Sequence, residues 1–436
     1  MVRLVLIAPP SPLRDSPDPN GMPLGLVSLG TVLKPLCDVK IIDGYSLAMT
    51  VEQVCETALN HNPDLIGISL PFSFSEATGL EIAGILKKKR PDTPIILGGV
   101  QATFGFNDVI LDPAVDAVVA GEAERTAVDM MKIVLRSGWR AVQNDPPAGV
   151  SVTLGPGTAT EIEPRPLIDN LDSLPQPDYS LLPGFPNKYE ARVMTSRGCT
   201  FNCPYCVSCT FWRNRFRAHS PERVVREVRD LKDRWSVRRL SFADDTFNLD
   251  AARARKIAVL LIEQGLNVKW GASCRPELLN RDDLRVYAKA GMNSLFLGLE
   301  SASPDVLTAI NRKHDPDETL RIVEFAENLG ISVHASFMIG LPTERAEDVE
   351  MTLAYAGKLP ASSLGFHIFH PLPGSDYAKH PKNYGIEFVE HEKGVEGGVG
   401  DIDGYAPIRT EHLSQMEILD YYYRARGIAE GRRSTS

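Results

Sequence analysis

The chain has no uninterrupted apolar stretch of the roughly 18 to 20 residues that a membrane span requires. Its longer charge-free runs, 19–33, 93–107 and 359–375, are broken by Gly, Pro, Asn or Ser. The opening MVRLVLIAPPSP has a short apolar run with no small-residue cleavage site behind it, and reads as a buried strand rather than a signal peptide. No G-x-G-x-x-G follows that run and no G-x-x-x-x-G-K-[ST] occurs anywhere. A dinucleotide or nucleoside triphosphate site is therefore disfavoured. Positive charge is not in excess: the net charge of −9 argues against a general nucleic-acid binder. The seven cysteines are odd in number, which fits a reducing, cytoplasmic setting better than a disulfide framework. What the chain does have is 436 residues, 43% hydrophobic and 24% charged. Two or three globular domains with ordinary cores follow, and a disordered, collagen-like or coiled-coil chain is excluded.

The first 140 or so residues alternate in character. Short apolar runs at 2–8, 39–43, 65–70, 94–99 and 115–121 are rich in β-branched residues and bounded by Gly, Pro or Asp, as strands buried on both faces are. Segments 24–36, 50–60, 76–90 and 124–137 carry helical spacing. Five strands alternating with helices predict an α/β, doubly wound parallel sheet, whose ligands bind at the C-terminal strand ends. Those ends carry Pro9-Pro10, Gly21-Met22-Pro23-Leu24-Gly25, Ser69-Leu70-Pro71-Phe72-Ser73, Gly98-Gly99-Val100-Gln101 and Gly121-Glu122. Paired glycines let backbone approach a ligand closely; ordinary turns of an α/β fold use the same residues.

Residues 164–184 are rich in Pro and Asp and read as a linker. The expected organisation is a sheet domain over 1–142, a linker over 143–186, a second domain over 187–375 and a C-terminal extension over 376–436. A strand over 191–196 leads into Arg197-Gly198-Cys199-Thr200-Phe201-Asn202-Cys203-Pro204-Tyr205-Cys206. This C-x-x-x-C-x-x-C spacing puts three thiolates on one loop, suited to three irons of a [4Fe–4S] cube with the fourth iron open. Cys209 forms a further C-x-x-C pair with Cys206, so a closed four-Cys cluster or zinc site is the alternative.

The motif, with an aromatic residue before its last Cys, resembles the radical S-adenosylmethionine (SAM) family. Strand-like runs recur at 239–243, 268–273, 294–299, 332–339 and 363–369, with helical segments between them. Six strands and five crossovers resemble that family's partial (β/α)6 barrel, in which C-terminal strand ends hold the chemistry. The resemblance implies that Cys199, Cys203 and Cys206 ligate iron and that SAM chelates the remaining one. It implies that Tyr205 lies near the adenine and that Glu300 or Ser301 meets the polar end of SAM or its ribose. Gly340 would let backbone approach the adenosine, and Arg275 would pair with the SAM carboxylate. A barrel-lining ion pair is the other reading of Arg275 and Glu300. Asp244 and Asp245 are candidates to act on substrate, or to cap the next helix.

An α/β domain ahead of such a core resembles the cobalamin-dependent radical SAM family, whose N-terminal Rossmann-like domain binds cobalamin. The likeness covers roughly residues 1–375. It implies cobalamin contacts from Pro10, Leu24, Gly25, Ser69, Phe72, Ser73, Gly98, Gly99, Gln101, Gly121 and Glu122. The D-x-H-x-x-G signature of His-on cobalamin domains is absent, and His61 is the only histidine before the linker. Cobalt is therefore expected without a protein imidazole. Gln101 stands where relatives often carry His, and an amide can still hydrogen-bond the corrin rim.

The resemblance implies a methyltransferase acting on an unactivated carbon of a small-molecule or natural-product substrate, served by an electron donor such as flavodoxin or ferredoxin. Oxidation, cyclisation or rearrangement with the same cofactors is the alternative. A methylthiotransferase of RNA or protein would need a second three-Cys cluster, which Cys37 and Cys55 do not supply. Arg213, Arg215, Arg217, Arg223, Arg226 and Arg229, interleaved with Trp212 and Phe216, read as a solvated face rather than an RNA contact. Residues 393–404 read as a Gly-rich mobile loop, 413–426 as a helix and 432–436 as a frayed tail.

Overall fold

The computed structural model describes all residues except 12–17, 19–20, 72, 156, 390–405 and 434–436. Phe72, the Gly-rich run and the last three residues of the expected tail thus lie outside the described residues. The chain forms two compact units, whose described residues run from 1 to 190 and from 191 onward.

The first unit runs β1 (Arg3–Ala8), α1 (Leu24–Leu33), β2 (Asp38–Asp43), α2 (Val51–Asn60), β3 (Leu65–Ser69), α3 (Phe74–Lys89), β4 (Ile95–Gly98), α4 (Val100–Phe104), α5 (Phe106–Val109), β5 (Ala117–Val119), α6 (Glu124–Ser137), α7 (Trp139–Asn144), β6 (Val150–Gly155) and β7 (Thr158–Ala159). The sheet order is 2-1-3-4-5-6-7. The first five strands pair in parallel, and the order reverses between β1 and β3, where ligands of such sheets bind. Val5, Ile7, Ile66, Ile68, Ile95 and Leu97 fill the core between sheet and helices. Helix α1 stops short of the expected residue 36 because Pro35 has no amide hydrogen to continue the ladder. Helix α2 opens with a capping box between Thr50 and Gln53.

The segment expected as a linker is built into this unit. Strands β6 and β7 extend the sheet in antiparallel sense, β6 on β5 and β7 on β6. Beyond them Leu167, Ile168, Leu171, Tyr179, Leu182 and Phe185 are buried. The apolar residues scattered among the prolines and aspartates anchor the stretch that composition alone marks as a connector.

The second unit runs β8 (Ala191–Val193), β9 (Ser196–Arg197), α8 (Val207–Phe211), β10 (Arg217–Ala218), α9 (Pro221–Trp235), β11 (Arg239–Phe242), α10 (Ala251–Glu263), β12 (Lys269–Cys274), α11 (Arg281–Lys289), β13 (Met292–Glu300), α12 (Pro304–Ala309), α13 (Pro316–Asn328), β14 (Ser332–Ile339), α14 (Ala346–Lys358), β15 (Ser363–Ile368), α15 (Asp376–Lys379), β16 (Glu387–Phe388), β17 (Ile408–Arg409) and α16 (Gln415–Arg433). Six parallel strands lie in the order β15-β14-β13-β12-β11-β8, the partial barrel expected from the sequence. Its crossover helices are started by side-chain caps: Ser220, Asp250, Asn280, Ser303 and Asp315 each accept a backbone N–H of the first turn. After Ser220, Ser303 and Asp315 a proline occupies the first helical position, where its missing N–H is harmless. Along β14, Val333, Ala335, Phe337 and Ile339 are buried while the intervening residues are partly exposed, the alternation of a sheet with one covered face. Helix α16 packs on β15 and is tied to α14 by Arg424 and Glu350 at 2.7 Å. No described helix is long and apolar enough to cross a membrane.

Candidate functional site

The strand expected over 191–196 is broken after Val193, and the break makes the cysteine loop. Asp244, at the end of β11, accepts the amide hydrogens of Thr195 at 2.6 Å and Ser196 at 3.0 Å, and the Thr195 hydroxyl as well. Arg253 donates to the Thr195 carbonyl at 2.6 Å and the His219 carbonyl at 2.9 Å. Asp245 accepts the Gly198 amide at 3.0 Å. Gly198 itself sits at φ +89, with the Trp212 Cβ only 2.9 Å from where its own side chain would start, so no other residue fits there. Further along, the Asn202 carbonyl accepts from Asn311 at 2.6 Å and the Pro204 carbonyl accepts from Tyr377 at 3.1 Å. The loop is thus fixed by residues following β11, α12 and β15.

Asp244 and Asp245, candidates to act on substrate, are engaged by the loop: Asp244 by the Thr195 and Ser196 amides and the Thr195 hydroxyl, Asp245 by the Gly198 amide. Burial pushes both carboxyls up from the usual range, and the donors and the Arg253 charge near Asp244 oppose that rise. Their role here is to position the loop.

Cys199 and Cys203 are buried, Cys206 is partly exposed, and all three thiols are free. Burial pushes the Cys206 thiol up to about 12, so a metal rather than solvent is the natural agent to displace its proton. The donor set suits a [4Fe–4S] cluster. Cys209 lies on α8, and its thiol donates to the Cys206 carbonyl at 3.1 Å.

Beside the loop lies a buried ionic network. The Tyr205 hydroxyl donates to Glu300 at 3.1 Å, and Glu300 pairs with Arg312 at 3.6 Å. Arg312 also donates to the Gly298 carbonyl. Glu300 stands at φ +65, where β13 shifts register against β14. A non-glycine residue in that region is strained, and such strain gathers at functional sites. Arg275, at the end of β12, pairs with Glu277 at 2.5 Å rather than with Glu300. Three buried polar atoms in this network have no hydrogen-bond partner among the described residues: Arg312 Nε, Glu277 Oε2 and His314 Nδ1. Burial and the nearby Arg312 charge push His314 down to about 4, leaving it neutral. A donor, an acceptor and a neutral imidazole left unsatisfied in the interior are what the carboxylate and ammonium of an amino acid would complete.

Arg312, His314 and Glu277 escaped the sequence reading, since a lone Arg in Asn311-Arg312-Lys313-His314 has no diagnostic spacing. Ser301 is brought near but engaged otherwise: its hydroxyl lies 3.1 Å from Thr352 Oγ1 and accepts the Ser303 amide at 3.1 Å. Gly340, at φ +87, donates its amide to Glu344 at 2.7 Å, and the position of a side chain there is filled by Ile418 of α16 at 3.1 Å. Both tie strand ends together.

In the first unit the expected residues gather at the C-terminal edge of the sheet. Pro10 follows β1, Ser69 and Ser73 flank the loop after β3, Gly98 and Gly99 close β4, and Gly121 and Glu122 follow β5. Leu24 and Gly25 open α1. Among the described residues nothing lies within 4 Å of the side-chain position at Gly25 or Gly121, so a ligand could approach the backbone there. Gln101 is held elsewhere, donating to Glu76 at 2.6 Å, and Glu122 accepts the Ile168 amide at 2.7 Å. His61 caps the C-terminus of α2, just ahead of β3 and hence at the opposite edge of the sheet.

Residues 193–356 match the radical SAM superfamily, and residues 11–130 match the B12 binding domain. The chain is 33% identical over 384 residues to an uncharacterised methyltransferase of Pyrococcus horikoshii, covering 86% of this chain and 82% of that protein. It is 28% identical over 350 residues to the anaerobic magnesium-protoporphyrin IX monomethyl ester cyclase of Rubrivivax gelatinosus, covering 78% and 62% respectively. Among solved structures, the radical SAM methyltransferase TsrM of Kitasatospora setae, with cobalamin and a [4Fe–4S] cluster bound, aligns with a TM-score of 0.74 at 16% identity. That alignment covers 97% of this chain and 82% of TsrM, and at such identity the likeness is one of fold.

Proposed function

Because this chain belongs to the cobalamin-dependent radical SAM enzymes, with a [4Fe–4S] cluster, SAM and cobalamin as its cofactors, we propose that it methylates an unactivated carbon of a small-molecule substrate. The observation that carries this reading is the anchored loop of Cys199, Cys203 and Cys206 beside a buried network with three unsatisfied polar atoms. When bound, the cofactors supply one-electron cleavage of SAM and a carrier for the methyl group. The chain's own residues bind, orient and keep water out.

Cys199, Cys203 and Cys206 would hold three irons. The SAM carboxylate would take the free Nε of Arg312, and an N–H of the SAM amino group the free oxygen of Glu277. Glu300, oriented by Tyr205 and Arg312, remains the candidate for the ribose. On the first unit, Pro10, Leu24, Gly25, Ser69, Ser73, Gly98, Gly99 and Gly121 would carry cobalamin with no imidazole on cobalt. The electron would come from an acidic carrier of the flavodoxin or ferredoxin type. An exposed basic turn, Arg213 to Arg215, lies directly against Gly198, next to Cys199. Seven free cysteines support a reducing, cytoplasmic setting.

Ring closure or oxidation with the same cofactors is the second reading, favoured by the identity to the cyclase. The test is anaerobic turnover with candidate substrates and SAM labelled in its methyl group. A product heavier by one labelled methyl in place of hydrogen supports methyl transfer. An unlabelled product lighter by two hydrogens would select the second reading.

A further inference from the structure

Arg275 was expected at the SAM carboxylate, and its surroundings point elsewhere. Its Nη1 lies 3.5 Å from the sulfur of Cys203. Its Nε and Nη2 both donate to one oxygen of Glu277, at 2.8 and 2.5 Å. The guanidinium carbon stands 3.6 Å from the centre of the Phe201 ring, itself part of the cysteine loop. The main chain of Arg275 is clamped in both directions by Asn248, whose amide accepts the Arg275 N–H at 2.9 Å and donates to its carbonyl at 3.0 Å. Only 4% of the residue is exposed. Turning towards a ligand would strip a buried carboxylate of its partner and uncover the Phe201 ring, so this arginine is held on the sulfur.

We infer that Arg275 sets the reduction potential of the cluster, by donating an N–H to the Cys203 thiolate while placing a fixed positive charge beside it. The inference rests on the ligation proposed above. Cluster potentials follow net charge, hydrogen bonds to sulfur and solvent exposure. On reduction one electron enters from the donor, and no bond to Arg275 forms or breaks. The added negative charge is better tolerated next to a guanidinium and a donated N–H, so Arg275 raises the potential and eases reduction. Glu277 has two effects of opposite kind: it fixes the guanidinium in place, and its charge partly offsets that of the arginine. Lysine would not serve, because one ammonium lacks the planar fork that reaches the carboxylate and the sulfur together. Arg275 is on this account a positioning residue acting through Cys203.

The test is a redox titration of the reconstituted full-length protein without SAM, followed by the electron paramagnetic resonance signal of the reduced cluster. Arg275→Met should retain iron and shift to a more negative midpoint. At the wild-type midpoint its reduced-to-oxidised ratio should fall about tenfold, which is 59 mV for one electron. Glu277→Gln removes a negative charge and should shift the midpoint the opposite way. Arg275→Lys keeps the charge but not the geometry and should fall between wild type and Arg275→Met. SAM affinity should change less than the potential in Arg275→Met and Arg275→Lys, whereas Glu277→Gln, which alters the oxygen assigned to the SAM amino group, is read by its potential alone. An unmoved midpoint in iron-loaded Arg275→Met and Arg275→Lys would overturn the inference, as would shifts of the same sign in Arg275→Met and Glu277→Gln. Loss of SAM binding at constant potential would return Arg275 to the SAM carboxylate. A wild-type protein that takes up no iron would overturn the ligation itself, and is distinguishable from all of these.

Discussion

The strand ends of the second unit and those of the first offer a cofactor different kinds of surface. Around the cysteine loop, recognition is chemical: thiols, a guanidinium on sulfur, a Tyr205–Glu300–Arg312 chain. On the first unit's shelf it would be a matter of shape, with the side-chain positions of Gly25 and Gly121 open among the described residues. Charged groups buried together fail hard when one is removed, because the partner is stranded. A shelf of glycines fails only when something fills it.

The largest effect is expected where the loop is fixed. Asp244→Ala strands the Thr195 and Ser196 amides and removes a negative charge near Arg253. It should destabilise the protein by about 3 to 5 kcal/mol, measured by urea unfolding. A loss below about 1 kcal/mol would remove Asp244 as the anchor. Next comes pH. Burial pushes Glu344 up to about 8, against an ordinary value of 4.5. Its folded value lies above the unfolded one, so its stabilising contribution is complete below about 4.5 and lost as pH rises through 8. Relative to Glu344→Gln, the wild type should lose roughly 3 kcal/mol between pH 5 and 8; a pH-independent difference would contradict this.

On the shelf, Gly121→Val adds bulk at φ +73 where nothing lies within 4 Å. Cobalamin affinity should fall at least about tenfold, roughly 1.4 kcal/mol, with iron content unchanged. Binding at wild-type strength would put the cofactor elsewhere. Two substitutions should do almost nothing. His61→Ala should leave the spectrum of bound cobalamin unchanged, and an imidazole nitrogen splitting of the cobalt(II) signal that disappears in this variant would refute the His-off reading. Cys209→Ala should keep its iron; a collapse of iron content would favour a closed four-Cys site.

The same contrast explains what the sequence made legible. Cys199, Cys203 and Cys206 stand in a spacing that few other chemistries use, and the strand–helix alternation behind them was plain. The parallel sheet of the first unit was equally clear. The antiparallel strands β6 and β7 were hidden in a stretch where prolines and aspartates outweighed short apolar runs. Arg312, His314 and Glu277 were missed because their proximity to the cysteines depends on separate crossovers returning to one edge. The contacts of Ser301 with Thr352 and of Gly340 with Ile418 were hidden because the partners are distant in sequence. Asp244 and Asp245 looked catalytic for the same reason that they are structural: buried carboxylates at a strand end find donors, and here the donors are the loop's own amides.

The two units are expected to hold their cofactors independently, and the direct measurement is the iron and cobalamin content of the intact, anaerobically reconstituted protein beside its Cys199→Ala/Cys203→Ala/Cys206→Ala variant. The wild type should carry about four irons and one equivalent of cobalamin, and the variant essentially no iron with its cobalamin retained. About four irons in the variant, or no cobalamin on the wild type, would contradict it.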